Sequence, residues 1–189
     1  MRVIAGNFKG KKLFLPTDKN TRPLKDLVKE SIFNLIQHSN KININIKNSL
    51  VLDLFAGSGS FGIECLSRGA KKVIFFEQYA VAISTLEKNI KSLKNIENYE
   101  IFKNNCFDFF NSDQNIDFKF DIIFIDPPYK ELRINEVIEK IIERNLVNKN
   151  GIIIVHRHKK DTVELTKNLN IFEGRIYGIS KISFGKLRF

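Results

Sequence analysis

The chain has 189 residues, of which 43% are hydrophobic, and a formal net charge of +10 at pH 7. That length suits one domain with a full core. No apolar run approaches the ~20 residues of a membrane span and the N-terminus lacks a signal-peptide core, so a cytoplasmic protein with no membrane partner is expected.

Charge is unevenly distributed. Residues 1–30 hold eight Lys/Arg against three Asp/Glu, residues 31–150 fifteen of each, and residues 151–189 eight against three. A neutral middle between basic ends suits a chain that grips a polyanion with both ends. Cys65 and Cys106 stand apart without a ligand spacing, and the three histidines form no H-x-x-x-H pair. A disulfide framework and a structural metal are therefore not expected.

In chain order, Val3-Ile4 and Lys12-Leu13-Phe14-Leu15 predict a short basic hairpin across Gly6 to Gly10. Residues 16–23 form a loop, in which Thr21, Arg22 and Pro23 lead into a helix over 24–37. Apolar residues at 24, 27, 28, 32, 35 and 36 keep helical spacing there. A polar, Asn-rich linker covers 38–49. Strands are then expected near 50–54, 72–76, 99–103, 120–125 and 151–155, with helices near 60–69, 79–94 and 134–145. Val81, Ala82, Leu86 and Ile90 give the second of these helices its apolar face. One more helix is expected at 160–168, then closing strands at 171–177 and 180–187. The alternation implies a doubly wound, mostly parallel α/β sheet.

Two strand ends carry the chemistry. After the apolar run Leu50 to Leu54, Gly57, Gly59 and Gly62 satisfy G-x-G-x-x-G, and Glu77 follows Gly57 by twenty residues. By spacing alone, a nicotinamide dehydrogenase is possible. Asp53 argues for another ligand. Four residues before the first glycine, its carboxylate would repel a pyrophosphate and attract a cation, although it could instead cap a turn or helix. S-adenosylmethionine carries a sulfonium and an ammonium group and no phosphate. The second strand, Phe120 to Ile125, ends in Asp126-Pro127-Pro128-Tyr129. In an open α/β sheet that tetrapeptide faces the glycine turn.

D-x-F-x-G-x-G followed by a strand ending in D-P-P-Y resembles the class I methyltransferases that modify exocyclic amino groups. The likeness extends to Arg2-Val3-Ile4-Ala5-Gly6, Lys9-Gly10-Lys11-Lys12-Leu13, Thr21-Arg22-Pro23, Val28 to Asn34, Leu54 to Gly59 and Leu66-Ser67-Arg68-Gly69-Ala70. Together these resemble the RsmD family, over most of the chain from Met1 to about Val155. The resemblance implies a Rossmann-like, S-adenosylmethionine-dependent fold: a seven-stranded, mostly parallel sheet with an antiparallel last strand, plus an N-terminal hairpin and helix. It implies one methyltransferase domain over 1–189, with 1–40 an RNA-recognition extension and 41–189 the catalytic core. The implied reaction methylates the N2 amine of a guanosine in bacterial small-subunit (16S) ribosomal RNA, free or assembled, by a monomer.

On this resemblance Asp53 and the backbone of Phe55, Ala56, Gly57, Ser58 and Gly59 hold the methionine part of the cofactor. Glu77 accepts both ribose hydroxyls, Asn105 reads the adenine amine beside Cys106, and Gln78 or Phe107 packs on the adenine. Asp126 and the Pro127 carbonyl accept the hydrogens of the target amine, Pro127 and Pro128 hold that backbone rigid, and Tyr129 stacks on the base. Arg2, Lys9, Lys11, Lys12, Arg22 and Lys25 are the expected RNA contacts. The chain departs from the family at the end of the fifth core strand, where His156 stands in place of a common Glu. Rival readings are an amino-methyltransferase of DNA adenine or protein glutamine, and a non-catalytic RNA-binding protein with the same fold. The size of the chain and its basic ends disfavour the first, and the intact Asp126-to-Tyr129 motif disfavours the second.

Overall fold

The structure is a computed structural model and describes residues 1–18, 23–114 and 116–188. Thr21 and Arg22, expected at the entry to the first helix and, for Arg22, at RNA, lie outside the described residues.

Seven strands form one sheet: β1 (Leu50–Leu54), β2 (Lys72–Phe76), β3 (Tyr99–Phe102), β4 (Phe120–Ile125), β5 (Val147–His158), β6 (Leu169–Tyr177) and β7 (Ser180–Leu187). Their order is β3-β2-β1-β4-β5-β7-β6. The first five run parallel, and β7 is inserted antiparallel between β5 and β6. The expected seven-stranded sheet with an antiparallel last strand is therefore what the chain forms. Strand order reverses between β1 and β4, whose ends lie side by side in register Leu54 to Ile125. In doubly wound sheets a crevice for ligands opens at that reversal.

Among the described residues, five helices cover the sheet: α1 (Asp26–His38), α2 (Ser60–Ser67), α3 (Ala80–Lys91), α4 (Cys106–Asn111) and α5 (Ile134–Glu143). Alternate strand residues point to opposite faces, and the core divides accordingly. Val51, Val73, Phe75, Ile122 and Phe124 pack with α1, α2 and α3. Leu52, Leu54, Ile74, Phe76, Ile123 and Ile125 pack with α4 and α5. Helices on both faces explain why these strands read as continuous apolar runs. At Gly62, a Cβ would lie 2.2 Å from the Phe75 ring. A bare backbone is what lets α2 approach β2 this closely.

The N-terminal segment is fastened to this core by buried polar groups. Glu64 of α2 accepts the Ile4 and Ala5 N–H groups at 2.7 and 2.9 Å. Lys29 of α1, fully buried, donates to the Arg2 carbonyl at 2.6 Å and to Ser60 Oγ at 3.1 Å. Asn89 of α3 accepts from Phe14 N and donates to Phe14 O and Ser58 O.

Several expectations are corrected. The hairpin is reduced to a single bridge, Arg2 to Lys12, closed by Val3 N–Lys11 O and Gly10 N–Val3 O bonds of 2.9 Å, because Ile4 and Ala5 give their amides to Glu64. The helix expected at 160–168 does not form. Its backbone finds side-chain partners instead: Asp161 accepts from Val163 N, and Asn135 of α5 bonds both Glu164 O and Thr166 N. Such local side-chain bonds compete with a helix. Helix α4 was not foreseen, being only six residues long, too short to give a periodic signal. Strand β5 starts four residues early, at Val147, with a register irregularity opposite Phe120–Ile122.

Candidate active site

Backbone conformation builds the first wall of the site. Leaving β1, the chain passes through positive φ at Phe55 (59°), Gly57 (57°) and Gly59 (79°) before α2 begins at Ser60. A Cβ on Gly59 would strike Leu86 of α3 at 2.2 Å. Phe55 occupies the same left-handed region without a glycine's freedom, a local strain of the kind concentrated at functional turns. Its ring sits edge-on to Phe107, 5.9 Å between centroids.

A cavity of about 370 Å³ opens between this turn and the end of β4, within the range of small-molecule sites. Asp53, Phe55, Ala56, Gly57, Ser58, Glu77, Gln78, Cys106 and all of Asp126 to Tyr129 line it. Most of the residues expected at the site are thus brought together. Gly59 shapes the turn from behind the wall. Asn105 is not on the wall, because its side chain caps α4 by accepting the Phe107 N–H at 2.8 Å. Asn104 and Cys106 border the cavity on either side of it. Phe107 is buried under the Arg133 guanidinium rather than facing the cavity.

Three carboxylates converge here, from Asp53, Glu77 and Asp126, and no Lys, Arg or His is among the described lining residues. Asp53 is buried and accepts the Gly62 N–H at 2.9 Å, so it both braces the start of α2 and faces the cavity. Burial pushes its carboxyl well above the ordinary carboxylate range. The Gly62 N–H opposes that shift, and the charges of Asp126 and Glu77 add to it. Glu77 accepts Gly57 N at 2.7 Å through one oxygen and Gln78 N and Tyr79 N, both at 2.9 Å, through the other. A carboxylate offers about four acceptor sites, which leaves one for a ligand hydroxyl where two had been expected. The Cys106 thiol, desolvated by burial, is pushed up to about 12 and is no nucleophile at neutral pH.

The second wall is the Asp126-to-Tyr129 turn, and the end of β5 grips it. Asp126 Oδ1 lies 2.8 Å from Nδ1 of buried His156. Arg157 reaches the Pro128 and Tyr129 carbonyls at 3.3 and 3.2 Å and is ion-paired with Asp161. The Tyr129 ring stands edge-on to His158, with centroids 4.8 Å apart. Arg157 and His158 were not foreseen, although their place beside the end of β4 was a usable signal. Pro23 and Leu24, just before α1, also line the cavity and were not foreseen.

Of the basic residues expected at RNA, Arg2, Lys9, Lys11, Lys12 and Lys25 are exposed, and Arg2 lies 3.9 Å from Asp26. Among the described residues, no group of three or more His, Cys, Asp and Glu is placed to hold a metal ion. No helix among them is long and apolar enough to cross a membrane.

Comparison with known proteins agrees with this architecture. The family model described as conserved hypothetical protein 95 matches residues 1–186. Ribosomal RNA small subunit methyltransferase D of Haemophilus influenzae is 35% identical over 180 residues, 95% of this chain and 90% of that one. The protein of that name from Buchnera aphidicola is 35% identical over 174 residues, 92% and 86% of the two chains. Among solved structures, yhhF from Escherichia coli superposes with a TM-score of 0.82 at 25% identity, covering 100% of this chain and 98% of that one. The Haemophilus influenzae protein HI0767 does so with a TM-score of 0.77 at 32% identity, covering 99% and 98%.

Proposed function

Because this chain belongs to the RsmD family, we propose that it transfers a methyl group from S-adenosylmethionine to the N2 amine of a guanosine in small-subunit ribosomal RNA. The observation that carries the reading is a cavity at the sheet's reversal point with three carboxylates on its wall, no basic group among its described lining residues, and Asp-Pro-Pro-Tyr at its mouth. That lining suits a cationic ligand and disfavours the pyrophosphate of a dinucleotide. Asp53 and the turn backbone would hold the amino-acid end of S-adenosylmethionine, and Glu77 a ribose hydroxyl. When bound, that cofactor supplies an electrophilic methyl on a sulfonium.

Guanine N2 is a poor nucleophile, because its lone pair is delocalised into the ring. Asp126 and the Pro127 carbonyl accept the two amine hydrogens. This turns the nitrogen lone pair toward the methyl and stabilises the positive charge that develops on transfer. Tyr129 supplies a stacking face for a base held out of its helix. Positioning accounts for much of the acceleration. Residues 1–40 serve as the RNA-contacting extension of a single domain.

Methyl transfer from labelled cofactor to ribosomal RNA, protein-free and in assembled small subunits, tests the reading when followed by nucleoside analysis. N2-methylguanosine is the expected product. Label in adenosine, in protein glutamine or in nothing at all would overturn it.

A further inference from the structure

The end of β5 touches the catalytic turn in a way that the proposed reaction has not used. His156 and Arg157 are successive strand residues, so their side chains leave opposite faces of β5. His156 follows the parity of Ile152 and Ile154, which pack with α1, α2 and α3, and Arg157 that of Ile153 and Val155, which pack with α4 and α5. Both nevertheless reach the same tetrapeptide, which lies across the strand end. Arg157 takes up the Pro128 and Tyr129 carbonyls and is itself anchored by Asp161. That leaves the Pro127 carbonyl outside the clamp. His156 takes up one oxygen of Asp126, at 2.8 Å from Nδ1. Its side chain is 3% exposed, so water does not compete for that contact.

We propose that His156 is a positioning residue for methyl transfer: its Nδ1, in 2.8 Å contact with Oδ1 of Asp126, holds that oxygen in place, and so keeps Oδ2 of the carboxylate fixed to receive the target amine. A carboxylate can only accept, so the proton of this pair resides on the imidazole. At 2.8 Å the two atoms are in ion-pair contact. Without that contact, the Asp126 side chain would turn about its own torsions at the mouth of the cavity, and the acceptor oxygen would be misplaced. The Arg157 clamp fixes the backbone of the same turn, so side chain and main chain are held from opposite faces of one strand.

This inference rests on the methyl-transfer reading, and three variants separate the two. His156→Asn places an amide N–H near the position of Nδ1, His156→Gln reaches instead toward that of Nε2, and His156→Ala removes the donor. His156→Ala should lower kcat about a hundredfold, the scale of a 1 Å misplacement, with KM for RNA and cofactor affinity by calorimetry unchanged. His156→Asn should recover most of the loss and His156→Gln little of it. Should the alanine variant fail to fold, the Asn and Gln variants still decide. Parental kcat in His156→Ala, or equal recovery by Gln and Asn, would overturn the proposal. A readout without turnover keeps the two readings distinct. In the parent, 15N-labelled histidine should show a protonated Nδ1 at His156 whose signal moves in Asp126→Ala, and an unprotonated Nδ1 overturns the pair even in a protein that proves inactive on RNA.

Discussion

Asp53 holds two roles that pull against each other. Its carboxyl is desolvated and lies among like charges, so its folded pKa is raised. For an acid of this kind the stability contribution is fully present below the unfolded value, near 3.8. It is lost as pH rises through the folded value. As pH rises, the free protein therefore carries a growing cost for holding Asp53 in this buried site, and a cationic ligand relieves it. Asp53→Asn keeps an oxygen to accept the Gly62 N–H and removes the buried charge. It should raise the melting temperature of the free protein at pH 7 and weaken S-adenosylmethionine binding, with the parent's affinity rising with pH and the variant's staying flat. A variant that melts lower than the parent, or binds equally well, would contradict this. Asp126 lies at the other wall, where the proposed reaction puts the target amine. Asp126→Ala should lower methyl transfer by two to three orders of magnitude, roughly 2.7–4 kcal/mol, while calorimetry finds cofactor affinity little changed. Near-normal turnover would reduce Asp126 to a turn residue.

At the scale of elements, α1 and α2 are joined through charge rather than through apolar contact alone. Lys29 Nζ lies 3.8 Å from Glu64 Oε2, and neither side chain is exposed. Arg68 adds a 2.8 Å contact to the same Glu64. Burial lowers the Lys29 pKa, against the attraction of Glu64 and Asp26. Removing one member of a buried pair leaves the other uncompensated, at a typical cost of about 3–5 kcal/mol. Lys29→Met should therefore destabilise the fold by about that amount in denaturant titration, although the residue volume is kept. Because Lys29 also holds Ser60, the first residue of α2 beside the glycine turn, cofactor affinity should fall as well. A loss below about 1 kcal/mol would mean that Glu64 is satisfied by Arg68 and the two backbone amides without Lys29.

For the molecule as a whole, the question is which basic residues meet phosphate. A count along the chain places Lys29 with the basic N-terminal end, but the fold buries it. Lys9, Lys11 and Lys12 remain exposed on one short turn and can follow a nucleic-acid backbone together. Each cation that neutralises a phosphate releases counterions, so affinity falls with salt at a slope set by the number of contacts. Changing all three to Ala should weaken RNA binding and flatten the salt slope by up to about two units if three contacts are lost, with cofactor binding unchanged. Affinities across a salt series, for parent and triple variant, test it. An unchanged slope would assign this charge to solubility.

Local sequence alone determined the elements whose signals are short-range. Strands β1, β2, β4 and β7 stand where continuous or alternating apolar runs end in turn residues, and the glycine turn and Asp126-to-Tyr129 lie at the ends of two of them. Because β1 and β4 are neighbours at the reversal of strand order, those two motifs had to meet at one cavity. Tertiary structure decided what depends on partners distant in sequence. The 160–168 segment is not helical, because Asn135 satisfies its backbone. Asn104, not Asn105, borders the cavity, because a cap on α4 claims Asn105. Lys29 reads as a surface cation until Glu64, thirty-five residues on, is folded against it. His156 and Arg157 reach the Asp126-to-Tyr129 turn only once β5 lies beside β4. Periodicity records which face of an element is buried, but a hydrogen bond between residues thirty positions apart is set by topology and side-chain reach, which no local pattern encodes.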